Sequence, residues 1–197
     1  MPRVVDIEER RAAFVEASWR VIADEGLRAA SLRRVAMAAG CTTGSLTHYF
    51  PDRQTLLVSA LRAVHERAGA RMLAIARRER DPVERLRRVL REALPLDRDS
   101  LREWRVWLAF WSECMHDPDL ARENERRYAE WSGGLEELLG ALVEPERVSA
   151  EVSAWIALVD GIGLGIARHR TGGKRIAAAR AEAVALVESK LAGYARG

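Results

Sequence analysis

The sequence contains little of what builds a disulfide framework, a membrane span or a secretion signal. Its 197 residues include two cysteines, Cys41 and Cys114, which are too few and too far apart for a disulfide framework or a cysteine metal motif. No uninterrupted apolar run approaches the roughly 18 residues of a membrane span. The first residues, MPRVVDIEERR, show no apolar signal segment. We therefore expect a soluble, cytoplasmic protein with no membrane partner.

Lysine is also scarce, so the positive charge is almost entirely arginine. Lys174 and Lys190 are the only lysines among 32 basic residues, which 29 acidic residues nearly balance. The net charge of +3 neither demands nor excludes a nucleic-acid partner. Hydrophobic residues make up 48% of the chain, which is ordinary for a globular core in one large domain or in two smaller ones.

Alternating strand patterns are missing, whereas apolar residues recur at helical spacing along almost the whole chain. Glycine, proline and capping residues divide this pattern into about nine helices. The predicted helices cover about 7–25, 32–39, 42–49, 53–79, 82–94, 100–115, a segment from 118 that breaks near 133–134, 149–169 and 174–193. This pattern predicts an all-α protein. A first unit of three helices occupies 1–52, and a larger helical bundle occupies 53–197.

The segment CTTGSLTHYFPDR, residues 41–53, is rich in short hydrogen-bonding side chains. Before it, Ala36 allows two helices to cross closely, and Gly40 supplies the left-handed backbone of a tight turn. Cys41 and Leu46 fill the gap between the helices. Short side chains on the outer face of the third helix let it approach a major groove, where they contact base edges or phosphates. Those side chains are Thr43, Ser45, Thr47 and His48.

Basic residues cluster around this segment, whereas the acids of this region lie mostly on the first helix. Between residues 27 and 57, one acid, Asp52, stands against four arginines. These are Arg28, Arg33, Arg34 and Arg53. Because phosphates need cations and amide donors, Arg53 and the helix starts near Ser31 and Thr42 are candidate phosphate contacts.

Residues 7–61 resemble the DNA-binding domain of the tetracycline-repressor (TetR) family, through AASLRRVAMAAGCTTGSLTHYFPDRQTLLVSAL. The exit HYFPDRQTLL, fixed in position after the turn, makes this resemblance far more specific than a helix-turn-helix pattern alone. It implies DNA contacts from the serine before the second helix, from the third helix and from the basic residue that opens the fourth. These roles fall on Ser31, Thr42, Thr43, Ser45, Thr47, His48, Tyr49 and Arg53, and the charges of Arg33 and Arg34 add them to the DNA-binding set. Many members carry tyrosine where this chain has Thr47, which gives that contact a shorter reach.

The stretch LREWRVWLAFWSECMHDPDLARENERRYAEW resembles the ligand domain of the choline-responsive, BetI-like branch of the same family. This second resemblance is to a broad subgroup whose effectors differ. It therefore implies the architecture of the ligand domain and not the ligand.

Tryptophan is over-represented, with six among twelve aromatic residues. Trp104, Trp107 and Trp111 lie at i, i+3 and i+7 on one face of the sixth predicted helix. Either they are ordinary core, or they line an aromatic pocket that holds a cation with the help of Glu113 or Asp160. The candidate pocket residues are Trp104, Trp107, Phe110, Trp111, Trp131 and Trp155.

Three glycines follow Asp160 at alternate positions inside the predicted eighth helix. Each costs up to ~1 kcal/mol of helix propensity relative to alanine, which close helix packing would offset. The family resemblance implies a homodimer through the eighth and ninth helices, and the alternative is packing within one subunit. The predicted interface residues are Trp155, Gly161, Gly165, Ala177, Ala181, Val184 and Val187.

Neighbouring His48 and Tyr49 also suggest acid–base catalysis, but an exposed helix supplies neither a positioned partner nor a pocket. Cys41 is likewise more consistent with packing than with redox sensing. We expect no enzyme activity, no cofactor and no metal. The function we expect is a ligand-responsive transcriptional regulator, a repressor that binds a double-stranded, near-palindromic operator as a dimer and is released by an unknown small molecule. The alternatives are an all-helical enzyme and a helical adaptor for other proteins. The sequence leaves open the effector, the operator, the regulated genes and repression against activation.

Overall fold

The computed structural model describes residues 7–169 and 173–194, and these residues form nine α-helices and one short 3₁₀ helix. The helices are α1 Ile7–Glu25, the 3₁₀ helix Leu27–Ala29, α2 Leu32–Ala38, α3 Thr43–Thr47, α4 Arg53–Arg78, α5 Pro82–Ala93, α6 Arg98–Cys114, α7 Pro118–Leu139, α8 Pro145–Ala167 and α9 Gly173–Leu191. The predicted all-α class and the order of the helices are confirmed.

The helix starts follow the predicted capping residues. The Ser31 and Thr42 hydroxyls accept the backbone N–H groups of Arg34 and Ser45, as N-caps do. Aspartates cap three of the longer helices in the same way. Asp52, Asp81 and Asp117 accept from Thr55, Glu84 and Leu120 at 2.6, 2.7 and 3.1 Å.

Two details of the predicted helices are wrong. The helix α7 runs unbroken through Gly133 and Gly134, where an added methyl group would meet nothing within 4 Å. The helix α8 begins at Pro145, four residues before the predicted start, because proline is well suited to a first helical turn. The sequence also predicts that Gly172 and Gly173 end the eighth helix, and Gly172 lies outside the described residues.

The contacts divide the chain into two units. Unit 1 comprises its described residues up to His65 together with Arg105–Asn124, and unit 2 comprises Glu66–Trp104 and the described residues from Glu125 onward. The helices α4, α6 and α7 therefore contribute residues to both units. Unit 1 therefore extends to His65 in its first segment, beyond the predicted domain boundary between residues 52 and 53.

Unit 1 has one continuous apolar core. Phe14, Leu46, Phe50, Leu57 and Phe110 are fully enclosed there. The Trp19 indole N–H adds a polar tie by donating to the carbonyl of Ala60 at 2.9 Å. The short helices α2 and α3 are thus held by a core built from α1, the start of α4 and the α6–α7 segment.

Unit 2 is a helical bundle in which α9 packs against α5 and α8. Arg71 on α4 donates to Glu92 at 2.5 Å and, with both terminal nitrogens, to Glu103 at 3.0 and 2.6 Å. Arg87 on α5 reaches Glu188 on α9 at 2.9 Å. These arginine–carboxylate pairs fix how the helices of the bundle lie against one another.

Candidate nucleic-acid interface and effector site

A glycine-based stop ends α2 and opens the turn into α3. Gly40 has a φ of 70°, its N–H donates to the carbonyl of Met37, and the N–H of Cys41 donates to that of Ala36. This pair of bonds is the Schellman arrangement. The Cys41 thiol also donates to Ala36, and its side chain packs against the core of unit 1, which favours the packing role predicted for it.

The helix α3 turns one face into unit 1 and the other outward. Leu46 is fully enclosed, and Ala36 of α2 is buried as well. Thr42, Thr43 and His48 are exposed, and Ser45 and Thr47 are half-buried. The short polar side chains of this helix therefore remain available to an external partner.

Besides the capping residues Ser31 and Thr42, the candidates Thr47, His48 and Tyr49 also have roles within the chain. The Thr47 hydroxyl donates to the carbonyl of Gly44 at 3.1 Å. The Tyr49 ring packs 5.4 Å from the Phe14 ring and 5.3 Å from the His48 ring. Tyr49 is therefore partly a core residue, and its phenol is the part left for an outside contact.

The basic residues separate into two kinds. Arg53 is engaged inside unit 1, because its guanidinium donates to the carbonyls of Leu27 at 2.7 Å and Ala30 at 3.1 Å. Arg34 forms an ion pair with Glu25. Arg28 and Arg33 are exposed, and no hydrogen bond or ion pair joins their side chains to another residue of the described ranges. The charge available to phosphates is thus concentrated on Arg28 and Arg33.

The predicted pocket residues are divided between the two units. Phe110 is fully buried in the core of unit 1, and Trp107 packs against that core with its ring centroid 3.7 Å from that of His65. Trp111 is half-buried in the same unit. Phe110 and Trp107 thus pack in the core of unit 1, and whether any of the three also lines a pocket stays a prediction.

Trp155 is enclosed in unit 2 by a polar network at the end of the bundle. Its indole N–H donates to the Tyr194 hydroxyl at 2.9 Å, and the Lys190 ammonium lies 5.0 Å from its ring centroid. Tyr194 and Lys190 both donate to Glu151 Oε2, at 2.6 and 2.7 Å. Val187 is also fully buried. The prediction that Trp155 and Val187 face a partner subunit is therefore wrong, because one chain already encloses them.

A second polar pair in unit 2 joins α7 to α8. The Tyr128 hydroxyl donates to Asp160 Oδ2 at 2.9 Å. Burial raises the pKa of the Asp160 carboxyl, and the hydrogen bond from Tyr128 opposes that rise. Burial and the nearby carboxylate also raise the pKa of Tyr128. Trp131 follows Tyr128 by three residues, and Gly163 follows Asp160 by three, so each pair shares a helix face.

Trp104 completes this region, because its indole packs directly on Gly163. The resulting effector region consists of Trp104, Tyr128, Trp131, Asp160 and Gly163. A partly buried carboxylate on the same helix face as an indole contact is chemistry that can attract a cation. The sequence identified Asp160 and the tryptophans but missed Tyr128, whose place three residues before Trp131 was the available signal.

The outward faces of α8 and α9 are small and apolar. On α8 the exposed residues include Ala154, Ala157, Gly161 and Leu164, and Gly165 is half-buried. Ala177 and Ala181 are exposed on α9, and Val184 is half-buried. Leu164 and Leu186 remain 50% and 45% exposed. Five of the seven predicted interface residues therefore lie where a partner can reach them.

Two features of the described residues bear on other functions. No group of three or more His, Cys, Asp or Glu side chains in 7–169 and 173–194 is arranged to hold a metal ion. One helix, Pro145–Ala167, is long and apolar enough to cross a membrane by length and composition. This is weak evidence for a membrane span, because core helices of soluble proteins pass the same test.

Comparison with known families identifies both parts of the chain. Residues 14–60 match the family of bacterial regulatory proteins of the tetR type. Residues 82–193 match the C-terminal domain of BetI-type transcriptional repressors. The matched ranges include α2 and α3 in the first case and α5 to α9 in the second.

Known relatives are regulators of transcription. The chain is 34% identical over 170 residues to the HTH-type transcriptional regulator PksA of Bacillus subtilis, covering 83% of this chain and 82% of that protein. It is 37% identical over 170 residues to the regulator BetI of Burkholderia cenocepacia, covering 83% and 85%. Proteins of this family are not enzymes, which excludes the enzyme alternative.

Solved structures share the fold. A transcriptional regulator from Rhodococcus sp. Rha1 superposes with a TM-score of 0.77 at 26% identity, over 91% of this chain and 96% of that one. A regulator from Saccharomonospora viridis in complex with choline gives a TM-score of 0.80 at 24% identity, over 92% and 96%. The sequence matches and the helix-turn-helix geometry agree: the chain belongs to the tetracycline-repressor (TetR) family of bacterial transcriptional regulators, with a C-terminal domain of the BetI type.

Proposed function

We propose that this regulator represses transcription by inserting α3 into a near-palindromic operator as a homodimer, and that a small molecule releases it. The observation that carries the proposal is the orientation of α3, with Leu46 enclosed and Thr43 and His48 on the outside. Two such helices read successive major grooves with centres about 34–36 Å apart. A regulator of this kind acts where the DNA is, in the cytoplasm.

The exposed arginines supply the phosphate contacts of this proposal. Arg28 and Arg33 are exposed and have no partner within the described ranges, so they meet a phosphate without breaking an existing bond. Arg34 and Arg53 are held by Glu25 and by backbone carbonyls. We assign Arg34 and Arg53 to the stability of the domain and Arg28 and Arg33 to the DNA. The hydroxyl oxygens of Ser31 and Thr42 accept the capping hydrogen bonds, so their O–H groups remain able to donate to a phosphate.

Operator binding is tested with a duplex selected by the protein from a random pool. The dissociation constant should rise steeply between 50 and 200 mM salt, because each neutralised phosphate contributes a slope of about −0.9. His48→Ala should weaken binding by about tenfold, as the loss of one base contact does. The control is Ser149→Ala on α8, because Ser149 is exposed, lies in unit 2 and makes no side-chain bond within the described ranges. An affinity that is insensitive to salt, or equal losses from both variants, would contradict the proposal.

The small apolar faces of α8 and α9 support a dimer through these helices. Four such helices, two from each subunit, bury these faces together, and the absence of bulk at Gly161 and Ala181 permits close approach. Leu164 and Leu186 supply the larger apolar area. This arrangement also explains why glycine is tolerated in α8 despite its cost in helix propensity.

The oligomeric state tests the dimer. Sedimentation should give twice the mass of one chain for the wild type, and Leu164→Lys should shift the mass toward one chain because it buries a charge. The control is Leu73→Lys on α4, since Leu73 is also 50% exposed but lies on neither helix. A wild-type monomer, or dissociation by both variants alike, would rule out this interface.

The effector region in unit 2 is where we place the small molecule. Asp160 and Tyr128 offer the polar contacts, and Trp104 and Trp131 offer the apolar walls. This chemistry suits a compound with a quaternary ammonium group. Choline is the first compound to test, because the related regulator from Saccharomonospora viridis forms a complex with it.

Tryptophan fluorescence and calorimetry measure effector binding. Choline should bind, and Asp160→Asn should weaken it about tenfold because the variant lacks the negative charge. The control is Asp99→Asn, whose side chain is exposed elsewhere in unit 2. Choline that binds both variants equally, or does not bind the wild type, would remove this assignment without affecting the DNA-binding proposal.

A further inference from the structure

The first turn of α4 connects two other parts of unit 1 through consecutive side chains. Arg53 donates to the carbonyls of Leu27 and Ala30, and Ala30 immediately precedes Ser31, the residue that caps α2. Gln54 points to a different element, with its side-chain amide 2.8 Å from Asp117 Oδ1 in the turn between α6 and α7. Two adjacent residues thus tie α4 to the helix-turn-helix and to the α6–α7 turn.

Asp117 has a second role at the same oxygen. Its Oδ1 also accepts the backbone N–H groups of Asp119 at 3.0 Å and Leu120 at 3.1 Å, which caps α7. The Gln54 amide is therefore bonded to the same oxygen that caps the first turn of α7. Leu120 in that turn is itself buried in the core of unit 1, which packs the turn against that core. Gln54 is the only glutamine in the chain.

A further contact holds α4 and α7 farther along. Arg62 donates to Glu123 through Nε at 3.3 Å and Nη2 at 3.1 Å, and the Glu123 side chain is only 7% exposed. The pairing restricts how α4 and α7 slide past each other within unit 1.

We propose that the Gln54–Asp117 hydrogen bond is the positioning contact by which the α6–α7 turn sets the orientation of α2 and α3 for DNA. This inference rests on the proposed function. The helices α6 and α7 also supply residues to unit 2, including Trp104 and Tyr128 of the effector region. A compound bound there biases these helices, Asp117 shifts Gln54, and Arg53 shifts the carbonyls that precede α2.

Thermodynamic reciprocity makes the contact testable without an effector. If the α6–α7 turn influences DNA binding, then DNA binding must influence that turn by the same free energy. Hydrogen exchange of the full-length protein, with and without the selected duplex, reports this at individual amides. We expect DNA to slow exchange at Asp119 and Leu120 by roughly fivefold, the factor expected for one net hydrogen bond.

Gln54→Met retains the length of the side chain but removes the donor. In this variant DNA should still slow exchange in α2 and α3, while the slowing at Asp119 and Leu120 is lost. Gln54→Glu should lose it as well, because it sets a second carboxylate beside Asp117. Ser59→Ala is the control, because Ser59 lies on α4 and its side chain makes no hydrogen bond within the described ranges.

The two Gln54 variants together separate the hydrogen bond from mere packing, because methionine and glutamate both fill the space of the glutamine and neither donates to Asp117. Either variant that keeps the full effect, or unchanged exchange at Asp119 and Leu120 when DNA binds the wild type, would overturn the inference. If no duplex is bound at all, the proposed function fails first.

Discussion

The indole of Trp104 lies against the α-carbon of Gly163, so that a methyl group there would fall 2.1 Å from Cη2 of the ring. The ring is held in place, since its N–H donates to the carbonyl of Ala93 at 2.8 Å and little of the residue is exposed. Overpacking of this kind costs about 1–3 kcal/mol, and replacing a helical glycine returns up to ~1 kcal/mol. We expect Gly163→Ala to lower the free energy of unfolding by about 1–2 kcal/mol in urea denaturation.

Gly133→Ala provides the comparison for this prediction. Gly133 also lies inside a helix, but a methyl group there would meet nothing within 4 Å. The same change should therefore stabilise the protein by up to ~1 kcal/mol through helix propensity alone. Equal stabilities for the two variants would mean that Trp104 moves aside without cost.

The helix-turn-helix was predictable because its determinants are local. Gly40, Ser31 and Thr42 act through bonds to residues within five positions of themselves, and such short-range patterns are visible in the sequence. The apolar spacing of α1 was equally informative, and its predicted bounds match the structure. The family resemblance added the identity of the domain.

The long-range polar contacts were not predictable in the same way. The local sequence predicts a phosphate contact from Arg53, whereas in the structure its guanidinium donates to carbonyls 23 and 26 residues away. Nothing in the local sequence distinguishes such an arginine from a free one, because the distinction depends on how α4 folds back onto the 3₁₀ helix. Trp155 shows the same limit: whether a tryptophan faces a partner or its own chain depends on packing that spacing does not encode.

Arg53 and Arg33 should respond oppositely to substitution. Arg53→Lys retains the charge but loses the planar fork that reaches two carbonyls, so we expect a loss of about 1 kcal/mol in the free energy of unfolding. Arg33→Ala should leave that free energy within about 0.5 kcal/mol, because the side chain is exposed and makes no bond to a described residue.

Operator affinity completes that comparison. Arg33→Ala should weaken binding to all duplexes about equally and reduce the slope of log K against log salt by about 1, as the loss of one phosphate contact does. Titrations at several salt concentrations measure it. An unchanged slope would remove Arg33 from the interface, and an unchanged stability for Arg53→Lys would show that its two backbone bonds carry no net free energy.

The Glu151 network should make stability depend on pH in the acid range. Hydrogen bonds from Lys190 and Tyr194 hold the pKa of Glu151 below its ordinary value of 4.5. The native state therefore binds fewer protons than the unfolded state, and the stabilisation is complete above about pH 4.5 and is lost as the pH falls through the native pKa. We expect Glu151→Gln to cost about 1–2 kcal/mol at pH 7 and progressively less below pH 4.5.

Glu137→Gln is the control for that experiment, since Glu137 is exposed on α7 and has no partner among the described residues. Its free energy of unfolding should follow that of the wild type at every pH. A Glu151→Gln penalty that persists unchanged into acid would show that the loss is one of packing and not of charge.

Asp160 should show the opposite pH dependence, because burial raises the pKa of its carboxyl above the ordinary value of 3.8. The native state then binds more protons than the unfolded state, and stability falls as the pH rises from 3.8 through the native pKa. Asp160→Asn does not titrate and still accepts the hydrogen bond from Tyr128. We expect it to exceed the wild type in stability at pH 7, with the difference shrinking as the pH is lowered.

The same substitution should weaken choline binding, so stability and effector affinity would change in opposite directions. Such opposition is expected where a site keeps a destabilising charge for its ligand. Urea unfolding at several pH values and calorimetry with choline measure the two effects on one variant. An Asp160→Asn protein that is less stable than the wild type at pH 7 would mean that neighbouring groups already stabilise the carboxylate, and would leave no unmet charge for a cationic effector.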